Sequence, residues 1–392
     1  MRTWVLMLAA SALMACSRDA NETKGPKEGA HLAGVSAPES RLEALRSDTD
    51  SAGYTLAREP IGFEFPRDHG PHPDFRHEWW YITGNLDAEN GDRFGFQLTF
   101  FRFAVAPPDA GEALENGSAW RTRQIYMAHF AITDVARHEF RFAERLSREA
   151  LDLAGARAEP LRVWLEDWYM SSSPDSPSWT LHASAEGYEL RLEVQPLTQP
   201  VLNGDRGLSL KSAEGAASYY YSIPRMAAKG QVRRADQTHA VSGLAWLDRE
   251  WGSGALASDQ AGWDWFALQF EDGSTLMYYQ LRKHDGTRDP CSAGTWVEPD
   301  GRVRALKSTD VTIDILDHWD SPRGGRYPSR WRLHEPSLAL DITVRPLLAD
   351  QELQTDPRYW EGAVQIQGTR AGKQTSGRGY AELVGYADAG EQ

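Results

Sequence analysis

The stretch Arg76-His77-Glu78-Trp79-Trp80-Tyr81-Ile82-Thr83-Gly84 sets a cation, an imidazole and a carboxylate beside three aromatic rings. In an extended strand, successive side chains point to opposite faces. Glu78, Trp80 and Ile82 therefore share one face, and His77, Trp79 and Tyr81 share the other. A purely structural strand rarely has an ionisable group on both faces, because burying one without a partner costs on the order of several kcal/mol. Either the strand pairs its charges internally or one face lines a cavity, and the cavity is the working expectation.

Working outward, the pattern is β. Short runs alternate apolar with polar residues and are punctuated by turn signals. Asn90-Gly91 closes a hairpin into the ring-rich strand Arg93-Phe94-Gly95-Phe96-Gln97-Leu98-Thr99-Phe100-Phe101-Arg102-Phe103. Further runs follow at 125–134, 163–169, 179–185 and 188–196, and residues 140–150 read as the one short helix. Leu247-Asp248-Arg249-Glu250-Trp251-Gly252 then repeats the charged-aromatic grammar of the opening stretch. Gly262-Trp263-Asp264-Trp265-Phe266 hairpins through Glu271-Asp272-Gly273 into Met277-Tyr278-Tyr279-Gln280, echoing the first half. Few helices and two similar halves predict antiparallel barrels or sandwiches, with a junction at 235–250. In the closing segments Tyr359-Trp360-Glu361-Gly362 and Tyr380-Ala381-Glu382-Leu383-Val384, a Glu sits close to rings. Desolvation there would raise its pKa.

The chain has 392 residues, enough for two cores. Fifteen Trp, fourteen Tyr and thirteen Phe recur beside charged residues, which suits a ring-lined pocket as well as a dry core. A net charge of −14 with scattered basic residues argues against a nucleic-acid partner. Three histidines, His69, His72 and His77, fall in or beside the loop Pro66-Arg67-Asp68-His69-Gly70-Pro71-His72-Pro73-Asp74. The prolines forbid the helical spacing that compact zinc sites use. These residues read as pocket-mouth or backbone-bonding histidines, and no metal or other cofactor is expected.

At the N-terminus, Arg2 and the apolar run that begins Trp4-Val5-Leu6-Met7-Leu8-Ala9-Ala10 form an export signal too short to span a bilayer. It ends in Leu13-Met14-Ala15-Cys16, which resembles a bacterial lipobox and makes Cys16 the lipidated first residue of the mature chain. Ser17 resembles the sorting residue of outer-membrane lipoproteins. Multiple acyl chains anchor stably at roughly 0.8 kcal/mol per buried methylene. An ordinary cleaved secretion signal is the alternative. The expected layout is a signal at 1–15, a polar tether at 16–57, one barrel at 58–245 and a second at 246–392. If Cys16 is lipidated, Cys291 has no disulfide partner within the chain.

Taken in order, His77-Glu78-Trp79-Trp80-Tyr81, Tyr220-Tyr221-Ser222, Asp248-Arg249-Glu250-Trp251-Gly252, Trp263-Asp264-Trp265 and Gly379-Tyr380-Ala381-Glu382-Leu383-Val384-Gly385-Tyr386 resemble a known family. It is that of the AttH-like and hydroxyneurosporene-synthase (CrtC, acyclic carotenoid 1,2-hydratase) lipocalin-like proteins, which includes many labelled as predicted secreted hydrolases. The resemblance covers residues 60–387. It implies an all-β chain of two consecutive lipocalin-like antiparallel β-barrel domains with few short helices, holding a lipophilic ligand in an aromatic pocket near the junction. In the carotenoid hydratases an Asp protonates an isolated alkene and water captures the cation, which aromatic faces stabilise. Arg249 stands where that family has an imidazole, and Gln280 where it has a second Asp, so carotenoid hydration itself is not implied. Glu78, Asp248, Glu250, Asp264 and Glu382 are the candidate catalytic acids. His77, Trp79, Trp80, Tyr81, Tyr220, Arg249, Trp251, Trp263, Trp265, Tyr278, Gln280, Trp360 and Tyr380 are candidates for the ligand pocket.

The bland alternatives are an ion-pair network through Asp248, Arg249 and Glu250, and rings that merely fill barrel cores. No Gly-x-Ser-x-Gly elbow is present, so an α/β serine hydrolase has no support. The first functional reading is a lipid-anchored protein on the periplasmic side of the cell envelope, at the outer membrane. It binds a hydrophobic isoprenoid or acyl molecule and performs hydration, hydrolysis or cyclisation on it. The second is a non-catalytic carrier working with components of an ABC-type transporter, by resemblance to relatives associated with such permeases. A polysaccharide-binding module with exposed rings is the third.

Overall fold

Gly91 (φ +87°) and Gly273 (φ +95°) occupy the left-handed backbone region that glycine enters without a Cβ penalty. Each closes a hairpin at a turn marked in the sequence. The first joins β1 (His77–Ala88) to β2 (Arg93–Ala104), and the second joins β14 (Gln260–Phe270) to β15 (Thr275–Lys283). The structure is a computed structural model that describes residues 51–108, 122–254 and 256–387, all within one compact unit.

The described residues are almost wholly β. The first sheet has thirteen strands. After β2 come β3 (Gln124–Asp134) and β4 (Glu139–Arg148). Next are β5 (Ala154–Ala158), β6 (Leu161–Leu165), β7 (Trp168–Ser173), β8 (Ser176–Ala185) and β9 (Tyr188–Pro196). The short β10 (Val201–Leu202) and β11 (Leu208–Leu210) lead to the long β12 (Ala217–Arg234) and β13 (Gln237–Gly252). The order β4-β3-β2-β1-β13-β12-β9-β8-β7-β6-β5 curls until β3 and β4 approach β5, β6 and β8, which makes a nearly closed barrel. The second sheet has ten strands and forms a half-barrel. It contains β14, β15, β16 (Ala293–Val297) and β17 (Val303–Lys307) on one side of its closing strand, and β18 (Thr312–Asp320), β19 (Arg326–Glu335), β20 (Leu340–Pro346) and the short β21 (Glu352–Leu353) on the other. The closing strand, β23 (Lys373–Val384), follows β22 (Tyr359–Arg370). In both sheets the first strand pairs with the last, β1 with β13 and β14 with β23. The echo between the halves is thus topological as well as chemical.

Three departures from the sequence expectation have physical causes. Residues 140–150 are not a helix. They make the edge strand β4, paired along its length with β3. Phe140 and Phe142 recur at strand spacing and pack together onto a small apolar cluster, so tertiary pairing overrides a local sequence that also suits helix. The chain reaches its second sheet only after Gly252, because β13 carries Asp248 to Gly252 within the first sheet. The first sheet keeps the chain until Gly252 and the second takes it up at Gln260, so the change of sheet comes later than 245/246. The last residues of the expected tether are bound to the fold. Thr55 donates its N–H to Asp74 and accepts from the Ser253 hydroxyl, and Ala57 is buried. The proposed signal, Cys16 and the tether up to residue 50 lie outside the described residues.

Each sheet has its own apolar core. Trp80, Ile82, Phe100, Phe130, Tyr221 and Trp251 fill the barrel, while Phe266, Tyr278, Trp296, Trp331 and Trp360 fill the half-barrel. A third cluster lies between the two sheets and holds Tyr81, Tyr220, Trp246, Trp265, Tyr279 and Tyr380. Buried hydrogen bonds stitch this seam: Asn85 to the Gly379 carbonyl (3.0 Å), Thr133 to Gln351 (2.6 Å) and Gln269 to the Pro224 and Ala245 carbonyls (2.8 and 3.0 Å). At Gly95 the backbones approach so closely that a Cβ would meet the Ala363 methyl at 2.5 Å. The two faces of β1 therefore look into different places, one into the barrel and the other into the seam.

Candidate functional site

The seam opens into a cavity of about 200 Å³. Strand register alone assembles its walls, because residues directly opposite on antiparallel neighbours share a face. In the first sheet one row runs His129, Thr99, Tyr81, Asp248, Ser222, and the next runs Met127, Phe101, Trp79, Glu250, Tyr220. In the second sheet the facing row is Tyr279, Trp265, Glu382, Glu361. With the exception of Ser222, all of these side chains line the cavity, together with His77, Lys211, Trp263 and Leu281. Their strands come from both halves of the chain.

Asp248 is buried, and its partners are all neutral donors. Tyr220 Oη donates to Oδ2 at 2.5 Å, Ser222 Oγ to Oδ1 at 2.5 Å, and Trp246 Nε1 to Oδ1 at 2.7 Å. Trp265 Nε1 in turn donates to the Tyr220 hydroxyl at 3.1 Å. Burial disfavours the charged form more than these donors favour it, and nearby Glu250 adds to the effect. The Asp248 carboxyl is pushed up to about 7. Glu382, held by Trp263 Nε1 at 2.7 Å, is likewise raised to about 7 by burial, with further repulsion from Asp248 and Glu250.

Glu250 differs from both. It accepts from Ser218 Oγ and pairs with Lys211 Nζ at 2.9 Å. The same ammonium lies over the Tyr279 ring, 4.4 Å from its centre. Glu361 was not among the sequence candidates and is the most buried acid of the set, at 0% exposure. Neither of its oxygens has a hydrogen-bond partner of good geometry, although the Tyr81 and Tyr359 hydroxyls stand near enough to lower its pKa somewhat. Burial, followed by the charge of Glu382 opposite, drives it well above the usual carboxylate range. Glu382, its cross-strand partner, is selected in the sequence as an acid standing beside rings. Glu361 carried that signal too.

The structure sorts the sequence candidates by face. His77, Trp79, Tyr81, Tyr220, Asp248, Glu250, Trp263, Trp265 and Glu382 line the cavity. Glu78 does not. It points to the barrel side of β1, where Arg102 Nε, Arg249 Nη2 (2.9 Å) and the His72 N–H (3.0 Å) converge on its carboxylate. Burial alone would raise it, but Arg102, His72 and Arg249 outweigh burial and hold it well below the usual range. Arg249 and Trp251 alternate with Asp248 and Glu250 along β13 and so face the barrel as well, the guanidinium lying 4.0 Å from the centre of the buried Trp80 ring. Asp248, Arg249 and Glu250 are therefore not one ion-pair network.

Asp264 faces away from the cavity, bound by Arg282 Nε (2.9 Å) and Tyr386 Oη (3.0 Å). Gln280, its register partner, is also off the cavity. Tyr278 and Trp360 belong to the half-barrel core, and Tyr380 to the seam beside the cavity without lining it. The loop histidines are structural. His69 Nδ1 lies 2.6 Å from the Tyr221 hydroxyl, and His72 stacks on Trp251 at 3.7 Å. Among the described residues, no group of three His, Cys, Asp or Glu side chains is arranged to hold a metal ion.

Chemically, the cavity offers aromatic faces, a lysine committed to Glu250, and acids that hold protons at or above neutrality. Such a set can give a proton to an apolar molecule and take one back.

A model of the AttH-like family matches residues 56–386. The crystal structure of an AttH protein from Nitrosomonas europaea is similar over 85% of this chain and 99% of its own, with 34% identity and a TM-score of 0.74. Kievitone hydratase from Nectria haematococca shares the fold at 15% identity, with a TM-score of 0.64 over 86% of this chain and 97% of its own. A dehydratase, asqC of Emericella nidulans, is 26% identical over 206 residues, which are 49% of this chain. The match spans 57% of that relative's length.

Proposed function

This chain belongs to the AttH-like family, and on that premise we propose that its seam cavity adds water to, or removes water from, a hydrophobic molecule of isoprenoid or acyl type. The observation that carries the reading is Asp248, a buried acid facing an aromatic cavity and held near neutrality by burial against purely neutral donors. The partial similarity to a dehydratase supports the same class of chemistry.

In the hydration direction, Asp248 gives its proton to an alkene carbon. The resulting cation is stabilised by the faces of Trp79, Tyr81 and Trp265. Water then adds to it, and the surplus proton goes to a carboxylate, for which Glu382 is suited. In the dehydration direction, Asp248 protonates the departing hydroxyl, water leaves, and the adjacent carbon loses a proton to Glu382. Asp248 and Glu382 belong to facing sheets, so one molecule between them meets both.

The test is extraction and mass spectrometry of small molecules that co-purify with the wild type and with Asp248→Asn from the native host. The variant should retain a compound that the wild type converts, with substrate and product differing by one water. If both proteins carry the same compound and neither alters it, the cavity is that of a carrier, as expected of a transport-complex subunit. We further propose that the chain is an envelope lipoprotein anchored through Cys16, on the strength of the Leu13-Met14-Ala15-Cys16 motif. Metabolic labelling with a fatty acid should mark the wild type, and Cys16→Ser should lose both label and membrane association.

A further inference from the structure

An acid that surrenders its proton inside an apolar cavity must recover one before it can act again. Glu361 is the cavity acid most cut off from solvent, and the Tyr81 and Tyr359 hydroxyls stand beside its carboxyl. Two residues earlier on the same face of β22 lies Tyr359, whose hydroxyl is 2.8 Å from Nδ1 of His129 on β3, in the other sheet. The opposite ring nitrogen, Nε2, is 3.1 Å from a carboxylate oxygen of Glu144 on the edge strand β4. His129 is 1% exposed and the Glu144 side chain 24%. The cavity acid, a phenol, an imidazole and a partly exposed carboxylate thus stand in line from the seam to the outside of the barrel.

We propose that Glu144, His129 and Tyr359 form a proton relay that recharges Glu361, a second acid of the cavity. The inference rests on the acid–base reading of the site and extends it to how the site is resupplied. Imidazole suits the middle of such a chain because it can take up a proton at one nitrogen and release another from the second. A proton arriving from the Glu144 side is accepted at Nε2. The proton on Nδ1 passes to the Tyr359 oxygen as the phenolic proton of Tyr359 moves to the Glu361 carboxylate. One proton enters, Glu361 becomes neutral, and Tyr359 and His129 return to their starting composition after the imidazole exchanges tautomers. Tyr359 never has to persist as a phenolate. Its burial and the nearby Glu361 push its own ionisation well above the ordinary phenol range.

The relay can be read without a substrate. Full-length protein is transferred from water to heavy water, and the downshift of the carboxylic-acid carbonyl bands is followed by time-resolved infrared spectroscopy. The Glu361 band is the one lost in Glu361→Gln. Labelling with 13C-glutamate separates it from Asp248, and Glu382→Gln separates it from Glu382, so its assignment does not depend on one variant folding. Tyr359→Phe keeps the ring and removes the hydroxyl. It should retain the band but slow its exchange on the order of tenfold or more, as expected when a positioned proton carrier is removed. His129→Gln and Glu144→Gln should slow it as well. Exchange at the wild-type rate in folded Tyr359→Phe and His129→Gln would overturn the relay, and so would the absence of any protonated Glu361 band. Loss of turnover in Asp248→Asn leaves this exchange untouched, so the two readings fail separately.

Discussion

Glu78 and Asp248 lie on adjacent strands, both buried, yet they face opposite sides of the sheet and do opposite things. Two guanidiniums and a backbone N–H hold Glu78, whereas a phenol, a hydroxyl and an indole hold Asp248. Both carboxyls are well hydrogen-bonded, so the number of bonds does not separate them. The charge of the partner does. A cation favours the ionised form strongly enough to overcome desolvation, and neutral donors do not. The barrel side of β1 thus carries a fixed ion cluster that closes the histidine loop over the core, and the seam side carries acids that can exchange protons.

The sharpest way to break this contrast is to remove a cation from the barrel side. Arg249→Met leaves Glu78 buried with one guanidinium fewer. It should cost about 3–5 kcal/mol of stability, the usual penalty for breaking a buried ion pair, measured by urea unfolding. The sign with pH is fixed. Because the folded pKa of Glu78 is depressed, its contribution is present above the ordinary carboxylate value and is lost as the pH falls toward the folded value. Glu78→Gln should remove that part of the acid sensitivity.

On the seam side, Asp248→Asn should lower turnover of the extracted ligand on the order of 10²–10⁴-fold, the range for a general acid, while the unfolding midpoint at neutral pH holds or rises. A mutant that turns over normally would end the role assigned to Asp248. The same variant has a thermodynamic signature of opposite sign to that of Glu78. The folded pKa of Asp248 is raised, so its contribution is present below the ordinary Asp value and fades as the pH climbs to about 7. Across that window the wild type should lose up to about 1.4 kcal/mol per pH unit from this group, and Asp248→Asn should flatten the slope. The smallest effect is expected for Trp265→Phe, which keeps a ring but frees the Tyr220 hydroxyl. Ligand affinity measured by fluorescence titration should fall by about 0.5–1.5 kcal/mol.

Much of this was legible in the chain itself. The alternation of His77, Trp79 and Tyr81 against Glu78, Trp80 and Ile82 is a property of extended backbone, and the structure gives each face a distinct surrounding. The two glycine hairpins and the ring-rich strands fixed the β class. Residues 140–150 misled because their local sequence also suits a helix, and only β3 beside them selects the strand. Glu361 went unchosen although it sits beside Tyr359 and Trp360. Nothing local says that its face meets Glu382 and the seam. His129 and Glu144 carried no local signal either, since their connection to Tyr359 exists only across two sheets.

Sequence alone determined that the chain is β, that its halves resemble each other and that one strand serves two environments, because side-chain alternation and turn chemistry act over a few neighbouring residues. Tertiary structure decided which acids are ionised and which hold protons. That depends on whether a guanidinium or only neutral groups reach the carboxyl, and those partners arrive from distant segments through strand register.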